Sequence, residues 1–420
     1  GALADLLTTP GLDDNTLRRA MNAAWRRGLA ADASAVAAVA AAGDRATDIR
    51  VVAADLLKTW NKTTSLDTVT GRWRPLPQRD VPGLREAIRP YLPAMLSGPE
   101  KLQKTAVETA TSLGISDVIP ALESMLADAQ AEDSLRLAAF RALATLSKDV
   151  DAVMTEGLAD NAEPIRLAAL ELLATRKPDA SVAELQQLLD SGSLRAQQTA
   201  LRLLGQISGP RSEAALKGAF ASLEKGTLPV GAILDLLMSA EKSKSDVLSA
   251  LASEFRSRQS EKALVTERWS DCLDGGDAEK GRELFFGRGA ASCRRCHKVG
   301  SNGGEVGPAL TKIGKEKDPA YLLEAIVDPN AKIAKGFETV ILVTTDGRVH
   351  SGILRTEDAE RIQIMTPTGA LETLAKADIE ERANGQSGMP QDLLKNLSRT
   401  DVRDLVAYLA TLQEEAAAGH

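Results

Sequence analysis

Aromatic side chains are scarce in this 420-residue chain, at 3% of the total, while alanine and leucine abound. That balance argues against a large sheet protein and for closely packed helices. Histidine and cysteine number three each, so a four-ligand zinc site would have to draw on scattered residues such as Cys272, His350 and His420. No run of 18 or more apolar residues occurs, which excludes a membrane-spanning helix of ordinary length. Positive charge is also lacking: 51 basic against 58 acidic residues leave a net charge of −7, and a general nucleic-acid-binding role has no support. The chain opens at Gly1 without a basic, apolar and small-residue leader.

What is present begins with a repeat. A helix with alanine at its closest-approach point and leucines at helical spacing occurs at Ile49–Leu57, around Ala106, at Leu135–Leu143, at Ile165–Leu173 and more loosely at Thr199–Gly205. Ala106, Ala139, Ala169 and Ala200 follow one another at spacings of 33, 30 and 31 residues, the length of two short helices and two turns. Breakers separate the copies: Ser116-Asp117, Lys148-Asp149, Pro178-Asp179 and Gly209-Pro210. Such pairs bury their apolar faces only by stacking on neighbours. The pattern resembles HEAT-like repeats and predicts an α-solenoid over 1–270. Asp13-Asp14 and Arg26-Arg27 read as caps and solvated faces. Trp73, in the proline-rich stretch 71–77, is expected to pack over a ridge between repeats rather than meet a partner.

The strongest chemical signal lies beyond the repeats, in Cys293-Arg294-Arg295-Cys296-His297. C-x-x-C-H is the attachment pattern of a c-type haem: two thiols tether the porphyrin and the adjacent imidazole faces the iron. A thioredoxin-like pair would need a βαβ unit, which the flanks lack. Gly287-Arg288-Gly289 completes no nucleotide-binding loop. Covalent haem is attached outside the cytoplasm, so a removed signal or a longer parent chain is expected, with a periplasmic or otherwise extracytoplasmic location. Cys272 is left without a partner and reads most simply as a free thiol, a disulfide between chains being the other option.

Two amphipathic helices flank the motif, one from Ala278 to Phe285, the other from Ser398 or Thr400 to Leu409. With C-x-x-C-H just after the first, they resemble the class I cytochrome c arrangement, in which terminal helices cross at a glycine. Gly281 and Phe285 are the matching residues, set against Leu405, Tyr408 and Leu409. Gly307-Pro308-Ala309-Leu310 resembles that family's G-P-x-L segment. The resemblance implies that the Pro308 carbonyl accepts the proton on the second nitrogen of His297. For a sixth ligand Met389, in Ser387-Gly388-Met389-Pro390, is the best candidate. Met365 lies in a strand pattern and reads as core; His350 follows a turn and reads as exposed. The 92 residues from His297 to Met389 leave room for four or five short strands, a small β module over about 336–382. Its rhythm resembles Sm-like or SH3-like barrels.

These parts together resemble the PVC-type haem-binding domain, defined by C-x-x-C-H and a downstream Met-Pro. Matching stretches are Gly281–Phe285, Cys293–His297, Gly307–Leu310, Asp328–Ile333, Gly336–Glu338, Asp346–Arg348, Ala377–Glu380 and Gly388–Pro390. The resemblance implies Cys293 and Cys296 as attachment points of a single haem c, with His297 and Met389 as iron ligands. It also places Pro308 and Leu310 beside the cofactor. The expected architecture is mainly α: a HEAT-like solenoid, then a cytochrome c-like domain over 271–415 with the β module inserted. The expected role is a metal-binding, haem-iron electron-transfer cytochrome, associated with an oxidoreductase. Its partner would be a redox protein or dehydrogenase domain, since family members often carry a dehydrogenase-like propeller upstream of their repeats. No catalytic residue is visible in the chain itself. Two other readings remain: a haem enzyme or gas sensor with an open sixth position, and a docking scaffold whose haem is ancillary.

Overall fold

The computed structural model describes residues 2–9, 11–61, 73–76, 79–287 and 293–413. The protein is mainly helical with a small β sheet, and it divides into two compact units, 1–180 and 181–420.

The first unit is a succession of helices. Ala53, Ala106, Ala139 and Ala169 are fully buried, because only a methyl group fits where one helix backbone approaches the next. The Glu100–Leu113 helix packs on Asp133–Leu146, which packs in turn on Glu163–Arg176. The arginine opening each repeat copy has a specific use. Arg50 donates through Nε to the Ala40 carbonyl at 3.0 Å and Arg136 to the Leu126 carbonyl at 3.0 Å. Arg166 reaches the carbonyls of Asp160 and Asn161. In each case a guanidinium satisfies carbonyls at or just beyond the end of the preceding helix, which have no helical partner. Asp13 caps its helix by accepting from the amides of Asn15 and Thr16.

Two expectations in this unit are corrected. Trp73 does not pack over a ridge; it is 71% exposed. The buried indoles are Trp25 and Trp60, with the Arg79 guanidinium over both rings at 4.9 and 5.2 Å. Burial there brings Arg79 down to about 10. Nor does Arg27 simply face solvent: it pairs with Asp5 at 2.6 Å and with the buried Asp32 at 2.5 Å. Gly71, Arg72 and Pro77 lie outside the described residues, as do Arg288, Gly289 and His420.

The second unit joins the last repeats to everything downstream. Packing is continuous across residue 270: Leu234 shares one apolar core with Cys272, Phe285, Leu323, Val402 and Leu405. Buried polar contacts reinforce the join. Asp271, 1% exposed, accepts from Arg256 Nη1 at 2.7 Å, from Gln259 Nε2 at 3.0 Å, and from Arg399. Arg403 pairs with Asp235 at 2.6 Å, and Gln198 Nε2 donates to the carbonyls of Gly231 and Gly275, both at 2.8 Å.

The strands are β1 (Lys298–Val299), β2 (Asn302–Gly303), β3 (Thr339–Thr344), β4 (Val349–Glu357), β5 (Arg361–Met365), β6 (Leu371–Ala375) and β7 (Ile379–Asn384). The first two form a small hairpin. The rest make an antiparallel sheet in the order β6-β5-β4-β3-β7, closed over Val340, Leu342, Ile362 and Ile364. Turn chemistry sets the hairpins: Gly347 and Gly369 take φ of +79° and +84°, a region that glycine enters without steric cost.

Candidate functional site

The C-x-x-C-H segment is a single 3-10 turn, Cys293–Arg295. The Cys293 carbonyl accepts from the amides of Cys296 at 3.1 Å and His297 at 2.9 Å. The chain then doubles back through β1 and β2, and the following loop wraps the turn. Gly304 N donates to the Arg294 carbonyl, Gly307 N to the Cys296 carbonyl and Leu310 N to the Lys298 carbonyl, each at 2.8 Å. Glycine is required along this wrap. A Cβ at Gly303 would collide with the His297 carbonyl, one at Gly304 with the Arg295 carbonyl, and one at Gly307 would sit 2.7 Å from His297 Cε1.

His297 Nδ1 lies 2.9 Å from the Pro308 carbonyl. A carbonyl only accepts, so Nδ1 carries the proton and Nε2 is the nitrogen left to bind something else. Burial lowers the pKa of this imidazole, partly offset by the bond to Pro308. Burial pushes the Cys293 thiol up to about 11. Cys293 and Cys296 are both half-buried free thiols. Leu310 is half-buried at the rim of the same core as Cys293.

Two helices frame this turn. Ala278–Phe286 is capped by Asp277, which accepts from the amides of Glu279 and Lys280. Arg399–Thr411 is capped by Ser398 in a reciprocal box with Asp401, which settles the choice between Ser398 and Thr400. They meet at Gly281, where a Cβ would collide with the Asp404 carbonyl and Tyr408 Cβ. Phe285 is 5.6 Å from the Tyr408 ring. The Asp404 carboxylate accepts from Asp277 N at 2.8 Å; burial raises its pKa against that bond.

Met389 sits elsewhere in the chain, half-buried on the loop after β7. Its amide donates to Ser387 Oγ at 3.2 Å, and Ser387 N donates to Asn330 Oδ1 at 2.8 Å. The rival donors are committed. Met365 is half-buried with its sulfur 3.2 Å from Arg355 Nη2. His350 is not exposed as expected; it is half-buried, with Nδ1 3.0 Å from Glu372 Oε2.

The turn, the Pro308 carbonyl and Leu310 are therefore gathered together, with Met389 held on a separate loop. The geometry suits a tethered porphyrin in three respects: two unbridged thiols, an imidazole with Nδ1 taken by the Pro308 carbonyl, and glycines that let the backbone close on the turn and on the His297 ring. Two buried donors near these loops also lack a partner among the described residues, Asn330 Nδ2 and Arg355 Nε. Arg355 was not singled out by the sequence, because an arginine in a strand carries no motif. Asn330 stood in a matched stretch without a role.

No family model matches the chain, and no curated protein matches it. Among solved structures it is similar to the complex of CpcE and CpcF of phycocyanin lyase from Nostoc sp. PCC7120, at 16% identity and a TM-score of 0.32, covering 60% of this chain and 92% of that one. It is also similar to the complex of Kap95p with RanGDP, at 14% identity and a TM-score of 0.32, covering 68% of this chain and 38% of that one. Both are helical-repeat structures, not cytochromes. Among the described residues no three His, Cys, Asp or Glu side chains gather into a metal-ion site, and no helix is long and apolar enough to cross a membrane. The expectation of a metal-binding, haem-iron, oxidoreductase-associated cytochrome is corrected to this extent: none of these comparisons supports it.

Proposed function

We propose that the second unit carries a local covalent haem c site and serves as a one-electron transfer module. The single observation that carries this reading is the C-x-x-C-H turn with His297 Nδ1 bonded to the Pro308 carbonyl, so that Nε2 is the nitrogen that would hold the iron. A haem iron would need only one or two protein atoms, so no cluster of protein ligands is required. Bound there, the haem would supply Fe(III)/Fe(II) cycling.

The residues divide the work. Cys293 and Cys296 would tether the group as thioethers. Pro308 holds the His297 ring in one tautomer and orientation. Gly303, Gly304 and Gly307 let backbone pass close to the turn, and Leu310 contributes apolar cover. Met389 would be the second protein ligand, and its thioether would favour reduced iron. The crossing helices anchor the turn to the core. The motifs that resemble those of the PVC-type haem-binding domain support this reading. An extracytoplasmic location follows from covalent attachment, and the helical repeats present the module to a redox partner.

Export and maturation of the full chain, followed by a denaturing haem stain, is the test. A stained band that disappears in the Cys293→Ser, Cys296→Ser double variant is expected. An unstained wild-type band sinks the reading. For the second ligand, Met389→Ala should lose the far-red charge-transfer band of a methionine–Fe(III) pair; survival of the band moves the ligand elsewhere.

A further inference from the structure

One strand of the inserted sheet touches both loops that bear the site. The register of β4 against β5 slips between Leu354, opposite Ile364, and Thr356, opposite Gln363, so Arg355 is the bulged residue with no strand partner. A bulge of this kind re-aims its side chain. Arg355 Nη2 donates to the Glu305 carbonyl at 2.8 Å and lies 3.2 Å from Met365 Sδ. Its guanidinium stacks over Phe337 at 5.1 Å. Glu305 stands between Gly304 and Gly307, the two residues whose amides clasp the carbonyls of Arg294 and Cys296. A Cβ at Gly369, in the β5–β6 turn, would lie 3.6 Å from Val306 in the same loop, an ordinary contact distance.

Two residues earlier on β4, Ile353 meets the other loop. A Cβ at Gly388 would be 3.6 Å from Ile353 Cδ1. Thr339, paired with Ile353 in the sheet, accepts from Gly385 N at 2.9 Å through its carbonyl and donates through its hydroxyl to the Gln386 carbonyl. From this we infer that the five-stranded sheet is a brace that sets the distance between the His297 loop and the Met389 loop, with Arg355 as the positioning residue on the first and Ile353 on the second. The inference rests on the proposed function for what the two loops hold, but the brace itself is a property of the chain alone. A hydrogen-bonded strand pair is stiffer than either loop. A guanidinium fixed by a stack and a charge-assisted hydrogen bond transmits that stiffness better than an apolar contact would.

The test compares full-length wild type with Arg355→Ala, Arg355→Lys and Ile353→Ala. In the haem-free chain, amide hydrogen exchange at Gly304 and Gly307 should speed up by about tenfold or more in Arg355→Ala, the size expected for losing a charged hydrogen bond. Exchange within β3, β4 and β5 should be unchanged, and Arg355→Lys should restore part of the protection. In the haem-bound protein, Arg355→Ala should shift the midpoint potential, whereas Ile353→Ala should speed imidazole binding at the Met389 side with little change on the His297 side. Uniformly faster exchange across the sheet and both loops, with an unmoved potential, overturns the brace and leaves a merely stabilising arginine. If wild type takes up no haem, the proposed function fails while the exchange at Gly304 and Gly307 still decides the brace.

Discussion

A methyl group on Gly307 would fall 2.7 Å from Cε1 of His297 and 2.9 Å from its Nδ1, closer than real Cβ contacts come. Gly307→Ala must therefore push the ring off the Pro308 carbonyl. The expected loss is about 1–3 kcal/mol from overpacking, read by chemical denaturation, together with loss of the slowly exchanging Nδ1 proton of His297 in an NMR spectrum. Cys272 offers a second check at this scale. It is fully buried, and burial, with the nearby Asp271 charge, pushes its thiol up to about 12 from an ordinary 9.0. A raised thiol pKa means folding favours the protonated form. That contribution is complete below pH 9.0 and drains away as the pH rises toward about 12. The thiol should resist alkylation at pH 8 in the folded protein and react on unfolding, and Cys272→Ala should flatten the decline of stability between those two pH values. Labelling of folded protein at the unfolded rate would contradict the burial.

Among elements, the Arg399–Thr411 helix carries the most structure, because it packs on the Ala278–Phe286 helix and is tied to the last repeats by Asp271 and Asp235. Removing the Asp271 carboxylate leaves Arg256, Arg399 and Gln259 facing a buried gap. Asp271→Ala should cost roughly 3 kcal/mol, the lower end for a broken buried pair because both arginines keep some contact with water. Urea denaturation of the full chain would measure it. The helix starts, the hairpin turns and the alternating strands were legible in local sequence. Asp277, Ser398, Gly347 and Gly369 act on their immediate neighbours, so periodicity and turn chemistry reach them. The bulge at Arg355 was not legible, since a one-residue slip in register depends on the partner strand.

For the whole molecule, the repeats from residue 181 onward and the segment after residue 270 form one unit. A fragment of 181–420 should therefore melt cooperatively, whereas 271–420 exposes the apolar face that Leu234 and Met238 cover. Circular dichroism melts of the two should differ, with the shorter one broad or shifted down; equal, sharp melts would place a domain boundary near 270. The sequence by itself determined the helical repeat, because alanine at the approach point and leucine at helical spacing are local signals that recur. It also determined the C-x-x-C-H turn, whose five residues are contiguous, and the chance of a Met-Pro loop downstream. Only the tertiary structure decided that Trp73 stands in solvent, that His350 pairs with Glu372, and that one strand touches the loops of both His297 and Met389. Each of these depends on which distant residues a side chain does or does not meet, and no periodicity or spacing encodes that.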